Sequence, residues 1–154
     1  MMTRLSFSRV GAFLLIATFA ASCTSASRVV RHDSSERVYV LPGADRELDR
    51  EIARAEGSGP RLDSSLLASL RLTREARDMI VEGRDDRAFD QLKRAIEVNG
   101  DQGFSYLYLA HLYISDGDAS QGLVFLQRAE ALLPPSRELD AAVTGLLARA
   151  AANG

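Results

Sequence analysis

Apolar and polar residues alternate along this chain in several distinct patterns, and each predicts a different element. Residues 10–21 (VGAFLLIATFAA) are one unbroken apolar run. In residues 45–56, Leu48, Ile52 and Ala55 recur at helical spacing with charges between them, which predicts a short amphipathic helix stopped by Gly57-Ser58-Gly59-Pro60. Just before it, Arg37-Val38-Tyr39-Val40-Leu41 reads as a short extended segment ended by Pro42-Gly43. At the other end, Leu139, Val143, Leu146, Leu147 and Ala150 share one face of a helix over residues 136–152, with Ser136 as its N-cap candidate.

Between these helices the chain repeats itself. At a shift of 34 residues, 69–102 aligns with 103–136: Ala76 with Ala110, Met79 with Tyr113, Gly83 with Gly117, Ala88 with Gly122, Leu92 with Leu126, and Ala95 with Ala129. A 34-residue period with small and large residues at these positions resembles the tetratricopeptide-repeat family, in which each repeat is one helix-turn-helix. In the second copy Tyr106 stands at that family's Trp, Leu109-Ala110 at its Leu-Gly, Tyr113 at its Tyr, Gly117-Asp118 at its turn, and Pro134 at its Pro. The first copy is more degenerate, with Leu72 for Trp, Glu75 for Leu and Gly100 for Pro. The alanines and Gly122 allow paired helices to approach closely, and Leu92, Leu126, Met79 and Tyr113 fill the space between them. Glycine inside a helix costs ~1 kcal/mol relative to alanine, so Gly122 is expected at a tight contact.

The expected fold is therefore all-α: two tetratricopeptide-like repeats in an α-solenoid, with an N-terminal helix and a C-terminal capping helix. Residues 63–154 would form the repeat domain, with repeats at 69–102 and 103–136 and the cap at 136–152; residues 45–62 would form the preceding helix and its linker. Two repeats alone bury too little apolar surface, so the flanking helices are expected to supply the missing faces.

The first residues (MMTRLSFSR) are cationic and contain no acid, and the 12 apolar residues that follow are too few for the ~20 that a membrane-crossing helix needs. Together they predict a secretory signal over residues 1–22. Phe19-Ala20-Ala21-Ser22-Cys23 resembles the lipobox of bacterial lipoprotein precursors, with Ala20 where leucine is commonest. That resemblance implies that Cys23 becomes the diacylated first residue of the mature protein. Cys23 is the chain's single cysteine, and acylation accounts for a thiol that could have no disulfide partner within the chain. Thr24, rather than Asp, implies transfer to the outer membrane in a Gram-negative source. Residues 23–44 would be the lipidated start and a tether, with a typical reach of ~25 Å and a limit of ~70 Å.

Removing residues 1–22 takes two arginines and no acid, leaving 17 basic and 21 acidic residues and a net charge of −4. The 18 arginines and Lys93 are interspersed with acids, so no basic stripe exists and nucleic acid is not an expected partner. His32 and His111 lack nearby acids at ligand spacing, and no metal or cofactor is expected beyond the covalent lipid. His111 and Ser115 share a helix face, yet no third group orients them, and no catalytic residue is assigned. Asp85-Asp86, Asp116 and Asp118 fall at helix turns, where acids favour helix starts.

Repeat stacks build concave grooves. In the family this chain resembles, the groove is lined by positions that correspond to Leu70, Thr73, Arg77, Ile80 and Val81 in the first copy and Phe104, Leu107, His111, Ile114 and Ser115 in the second. Arg77, Ile80, Phe104, Leu107, His111 and Ile114 are the expected partner-binding residues. The stripe is largely apolar; it would either receive a partner peptide or be covered by the 45–57 helix or a second copy of the chain. The resemblance implies a non-enzymatic interaction adaptor anchored to a membrane, facing the periplasm, with an envelope protein or peptide as partner. Lipoproteins of this architecture include activators of bifunctional penicillin-binding proteins, the peptidoglycan synthases. Two alternatives are an escort for secretin or pilus subunits and an enzyme of cell-wall metabolism.

Overall fold

The computed structural model describes residues 40–59 and 63–153; the expected signal peptide, Cys23, His32 and nearly all of the expected tether lie outside them. Among the described residues the chain is all-helical: α1 (Pro42–Glu56), α2 (Ser64–Val81), α3 (Asp85–Val98), α4 (Gly103–Ser115), α5 (Ala119–Leu132) and α6 (Arg137–Asn153). The first helix starts at Pro42, three residues before the expected Asp45. Proline is tolerated in a first helical turn, where a backbone N–H has no intrahelical acceptor. Gly43 is required by packing, because a Cβ there would stand 2.8 Å from the backbone oxygen of Glu138 in α6. Pro42-Gly43 thus opens a helix; residues 37–39 of the expected extended segment lie outside the described residues, and Val40 and Leu41 are buried.

The two central hairpins, α2–α3 and α4–α5, close with the same hydrogen bonds 34 residues apart. Gly83 N–H donates to the Ile80 carbonyl at 3.0 Å and Arg84 N–H to that of Met79 at 2.8 Å; Gly117 and Asp118 donate likewise to Ile114 at 3.3 Å and Tyr113 at 2.9 Å. Both glycines have positive φ, 71° and 93°, the conformation in which a side chain is strained. Three of the four acids at the turns stand at helix starts, while Asp116 is the C-cap residue of α4. Asp118 accepts from Gln121 N–H at 3.0 Å as the cap of α5, and Asp85 and Asp86 occupy the first turn of α3.

Helix α4 is the centre of the packing, against α2, α3, α5 and α6. Ten of its thirteen residues are buried, which suits a helix apolar on nearly every side. Helix α5 comes so close to it that a Cβ on Gly122 would lie 2.4 Å from Ile114 Cγ1 and 3.2 Å from the Ala110 backbone oxygen. Aromatic rings fill the remaining space: Tyr113 stacks on Phe125 at 5.2 Å between centroids and meets Phe89 edge-on at 4.9 Å. The buried hydroxyls of α2 and α4 are bonded. Ser69 donates to the Ala95 carbonyl at 2.8 Å, Thr73 to that of Ser69 at 2.9 Å, and the Thr73 and Ser105 hydroxyls lie 2.7 Å apart.

Helix α6 begins where the sequence predicts, but the Ser136 hydroxyl does not cap it. The Ser136 carbonyl accepts from Asp140 N–H at 2.9 Å, while the hydroxyl lies 3.2 Å from Glu47 Oε1 and 3.0 Å from Glu138 Oε2. The nearness of α1 draws this side chain away from the helix end.

Two glycine substitutions separate helix propensity from packing. Gly122→Ala should lower stability by about 1–3 kcal/mol despite its better propensity, because Ile114 and the α4 backbone must give way. Gly145→Ala, in α6 with nothing within 4 Å of the added Cβ, should raise stability by up to ~1 kcal/mol. Urea unfolding of both variants measures the contrast; a stabilised Gly122→Ala would mean that α4 and α5 are not in close contact.

Candidate partner-binding groove

The expected groove residues lie on the inner faces of α2 and α4, but those faces are covered. Leu70, Thr73, Leu107 and Ile114 are fully buried, Ile80 and Phe104 nearly so, and His111 is 8% exposed. Val81 is exposed and Ser115 half-exposed at the rim. The expectation of an open stripe therefore gives way to its alternative, cover from within the chain. Thr73 also leaves the lining set, since it belongs to the buried network joining α2 to Ser105 of α4. The physical reason is the apolar area that six such residues would leave in water, at ~25 cal/mol per Å².

Two helices provide the cover. Helix α6 packs on α4 and α5, setting the Arg149 guanidinium 3.3 Å from His111 Nδ1 and donating Asn153 Nδ2–H to the Ile114 carbonyl at 2.9 Å. Helix α1 packs on both α2 and α6 and so spans the stack from its first hairpin to its last helix. Its inward face is Ala44, Leu48, Ile52 and Ala55, all buried. That is the helical face the sequence predicts, extended by one turn.

A row of polar contacts accompanies this apolar face. The Tyr108 hydroxyl of α4 donates to Asp45, the Arg77 guanidinium of α2 sits 3.2 Å from both carboxylate oxygens of Asp49, and Arg71 donates to Glu56 at 2.8 Å. Arg77 also donates to Asp78 at 3.0 Å and keeps only 15% of its side chain exposed. Burial alone would lower the guanidinium pKa, but Asp78 and Asp49 outweigh it and raise it. Burying Leu48 and Ile52 contributes about 1.5–3 kcal/mol each, whereas a partly exposed ion pair contributes ~0–1 kcal/mol. The apolar residues hold α1 down, and the polar contacts set where along the stack it rests.

Tyr108, Asp45 and Asp49 are absent from the expected site. A signal for the acids exists in retrospect: they lie four residues apart beside the Leu48–Ile52 stripe, on the edge that meets Arg77. Tyr108 carries no such signal, because it stands among the apolar residues of α4 and reads as core. Next to α1, between the starts of α2 and α4 and the end of α5, a cleft of about 290 Å³ remains, lined among others by Arg54, Leu66, Phe104 and Leu133. No group of three or more acids, histidines or cysteines arranged to hold a metal is present among the described residues, and no described helix is long and apolar enough to cross a membrane.

The pair at the centre of the contact titrates out of the ordinary range. Burial raises the Asp45 carboxyl, and the Tyr108 hydroxyl and the charge of Arg77 offset only part of that; Tyr108 is raised well above its usual value by burial and then by the Asp45 charge. An acid with a raised folded pKa contributes most to stability below its unfolded pKa, and the contribution is lost as pH rises through the folded value. Asp45→Asn removes that loss. Chemical unfolding of both proteins from the acid side of the carboxylate range to neutrality should show the variant gaining on wild type with pH, then levelling off. Asp63 and Asp118, held low by backbone N–H donors, shift stability the other way but cancel in the difference. A difference independent of pH would mean that Asp45 titrates as a solvated carboxylate.

Comparison of the chain with protein-family models, with curated proteins and with solved structures returns no match.

Proposed function

We propose that this chain is a lipid-anchored adaptor of the bacterial envelope, which holds another envelope protein near the outer membrane through a small helical-repeat domain of the tetratricopeptide type. The observation that carries the reading is the helix seated across the inner faces of the stack. A surface that accommodates α1 through buried Ala44, Leu48 and Ile52 has the geometry of helix-in-groove recognition. The recurrence of the hairpin-closing hydrogen bonds at an offset of 34 residues, and the tight contact at Gly122, support the repeat reading. The anchor rests on the cationic start, the 12-residue apolar run and Ala21-Ser22-Cys23. Two or more lipid chains at ~0.8 kcal/mol per buried methylene give stable attachment.

In its sharper form, which rests on architecture alone, the adaptor activates a bifunctional penicillin-binding protein. Adding the purified protein to glycan-polymerisation and crosslinking assays with each cognate synthase tests this: stimulation of one of them is expected, and stimulation of none overturns it. Crosslinking in native membranes followed by partner identification tests the broader adaptor role, which fails if no envelope protein is captured specifically. Cys23→Ser should move the protein from the membrane fraction to the soluble fraction while its helical signal and partner binding persist. If the variant stays on the membrane, the anchor lies elsewhere.

A further inference from the structure

The polar row along α1 is more specific than a cover requires. A helix that only sealed apolar surface would need Ala44, Leu48 and Ile52 and could carry any soluble residues beside them. Instead, Asp45 and Asp49 extend the same edge at i+1 and i+5, where α4 offers the Tyr108 hydroxyl and α2 the Arg77 guanidinium. Farther along, Glu56 meets Arg71, and at the opposite end Glu47 meets Ser136. Facing α2 and α4 the receiving surface supplies donors and the occupant carboxylates, while at α6 the polarity reverses, with Glu138 feeling the charges of Arg50 and Arg46 of α1.

The attachment of this occupant is also lopsided. Its C-terminal end leads into Gly57-Ser58-Gly59, where Gly59 has a φ of 59°, and its N-terminal end rests on α6 through a contact that only glycine permits at position 43. Among the described residues helix α1 bonds to the other helices through side chains alone, since the backbone hydrogen bonds at its ends go to Leu41, Ala53 and Ala55. Such a helix can leave without breaking the backbone bonds of the hairpins beneath it.

Building on the adaptor reading, we infer that α1 is an exchangeable occupant of the groove, and that the partner which replaces it is an acidic amphipathic helix in the α1 register. Such a partner carries a small residue, leucine and isoleucine at i, i+4 and i+8, with carboxylates at i+1 and i+5. It takes the places of Ala44, Leu48, Ile52, Asp45 and Asp49. Its affinity is reduced by the fraction of molecules in which α1 is docked, so loosening α1 raises it.

The probe is a fluorescent acetylated peptide of residues 40–57, added to the full chain in mild detergent. Hydrogen exchange of the wild type should show α1 amides opening more readily than those of α4. Gly43→Ala, which forces α1 away from the Glu138 backbone, should bind the peptide about tenfold tighter than wild type. A peptide with Asp49→Lys should bind wild type about tenfold more weakly than the unaltered peptide, and Arg77→Glu, which also loosens α1, should restore its binding. The proposal is overturned if α1 and α4 amides exchange only together in the wild type, or if the charge swap at Arg77 and Asp49 leaves binding unchanged. Wild-type dimers that exchange α1 between copies would also overturn it, by making a second chain the occupant. A native partner that binds Gly43→Ala no tighter than wild type overturns this inference and leaves the adaptor role standing. Peptide exchange without any native partner does the reverse.

Discussion

Two helical hairpins cannot seal themselves, and the need to cover the inner faces of α2 and α4 shapes nearly everything else in this structure. Leu70, Phe104, Leu107 and Ile114 would stand in water without α1 and α6. A domain of this size has little stability to spare for such exposure. The chain resolves the problem from both ends at once, with α6 closing over α4 and α1 bridging from α2 to α6. Once α1 must reach α6, the details of its sequence follow. Gly43 is there because the Glu138 carbonyl leaves no space for a Cβ, and Ala44 is there because the next position faces inward and is fully buried.

Closing the groove with a charged helix imposes an electrostatic condition. Asp45 is brought into a half-buried position where its charge is penalised, and the fold answers with a hydroxyl and a guanidinium rather than with another lysine or arginine at contact distance. The Tyr108 hydroxyl can donate to Asp45 in either protonation state, so the contact survives the loss of the carboxylate charge. Arg77 divides itself between Asp78 on its own helix and Asp49 on α1, and this sharing keeps its guanidinium bonded even when α1 is absent.

Much of this architecture is legible in the residues themselves. The 34-residue offset locates the turns at Gly83 and Gly117, and the prediction of close contact at Gly122 agrees with the 2.4 Å that would separate an added Cβ from Ile114. The 48–52–55 spacing identifies the buried face of α1, and the 139–143–146–150 spacing that of α6, though Leu147, expected on the same face, is exposed. What periodicity does not carry is which non-neighbouring elements meet. The stripe Phe104-Leu107-Ile114 reads equally well as a groove for a partner and as a surface for α1 or α6, because its composition is the same in both cases. Pro42-Gly43 reads as a breaker from its local chemistry, and only the presence of the α6 backbone alongside gives the pair a place inside a helix. Ser136 fits a cap by residue type and position, yet Glu47, 89 residues away in sequence, engages its hydroxyl.

The position of Gly43 also determines how the fold bears mechanical load. Tension applied to α1 from its N-terminal end reaches the buried pair Val40-Leu41 first and then the seam between Gly43 and Glu138. This seam is a van der Waals contact with no backbone hydrogen bond across it, and beyond it buried Ala44 and Leu48 resist together with the side-chain bonds at Asp45 and Asp49. A pull from that side would peel α1 away one contact at a time, the geometry of an opening zipper rather than of a sheared joint.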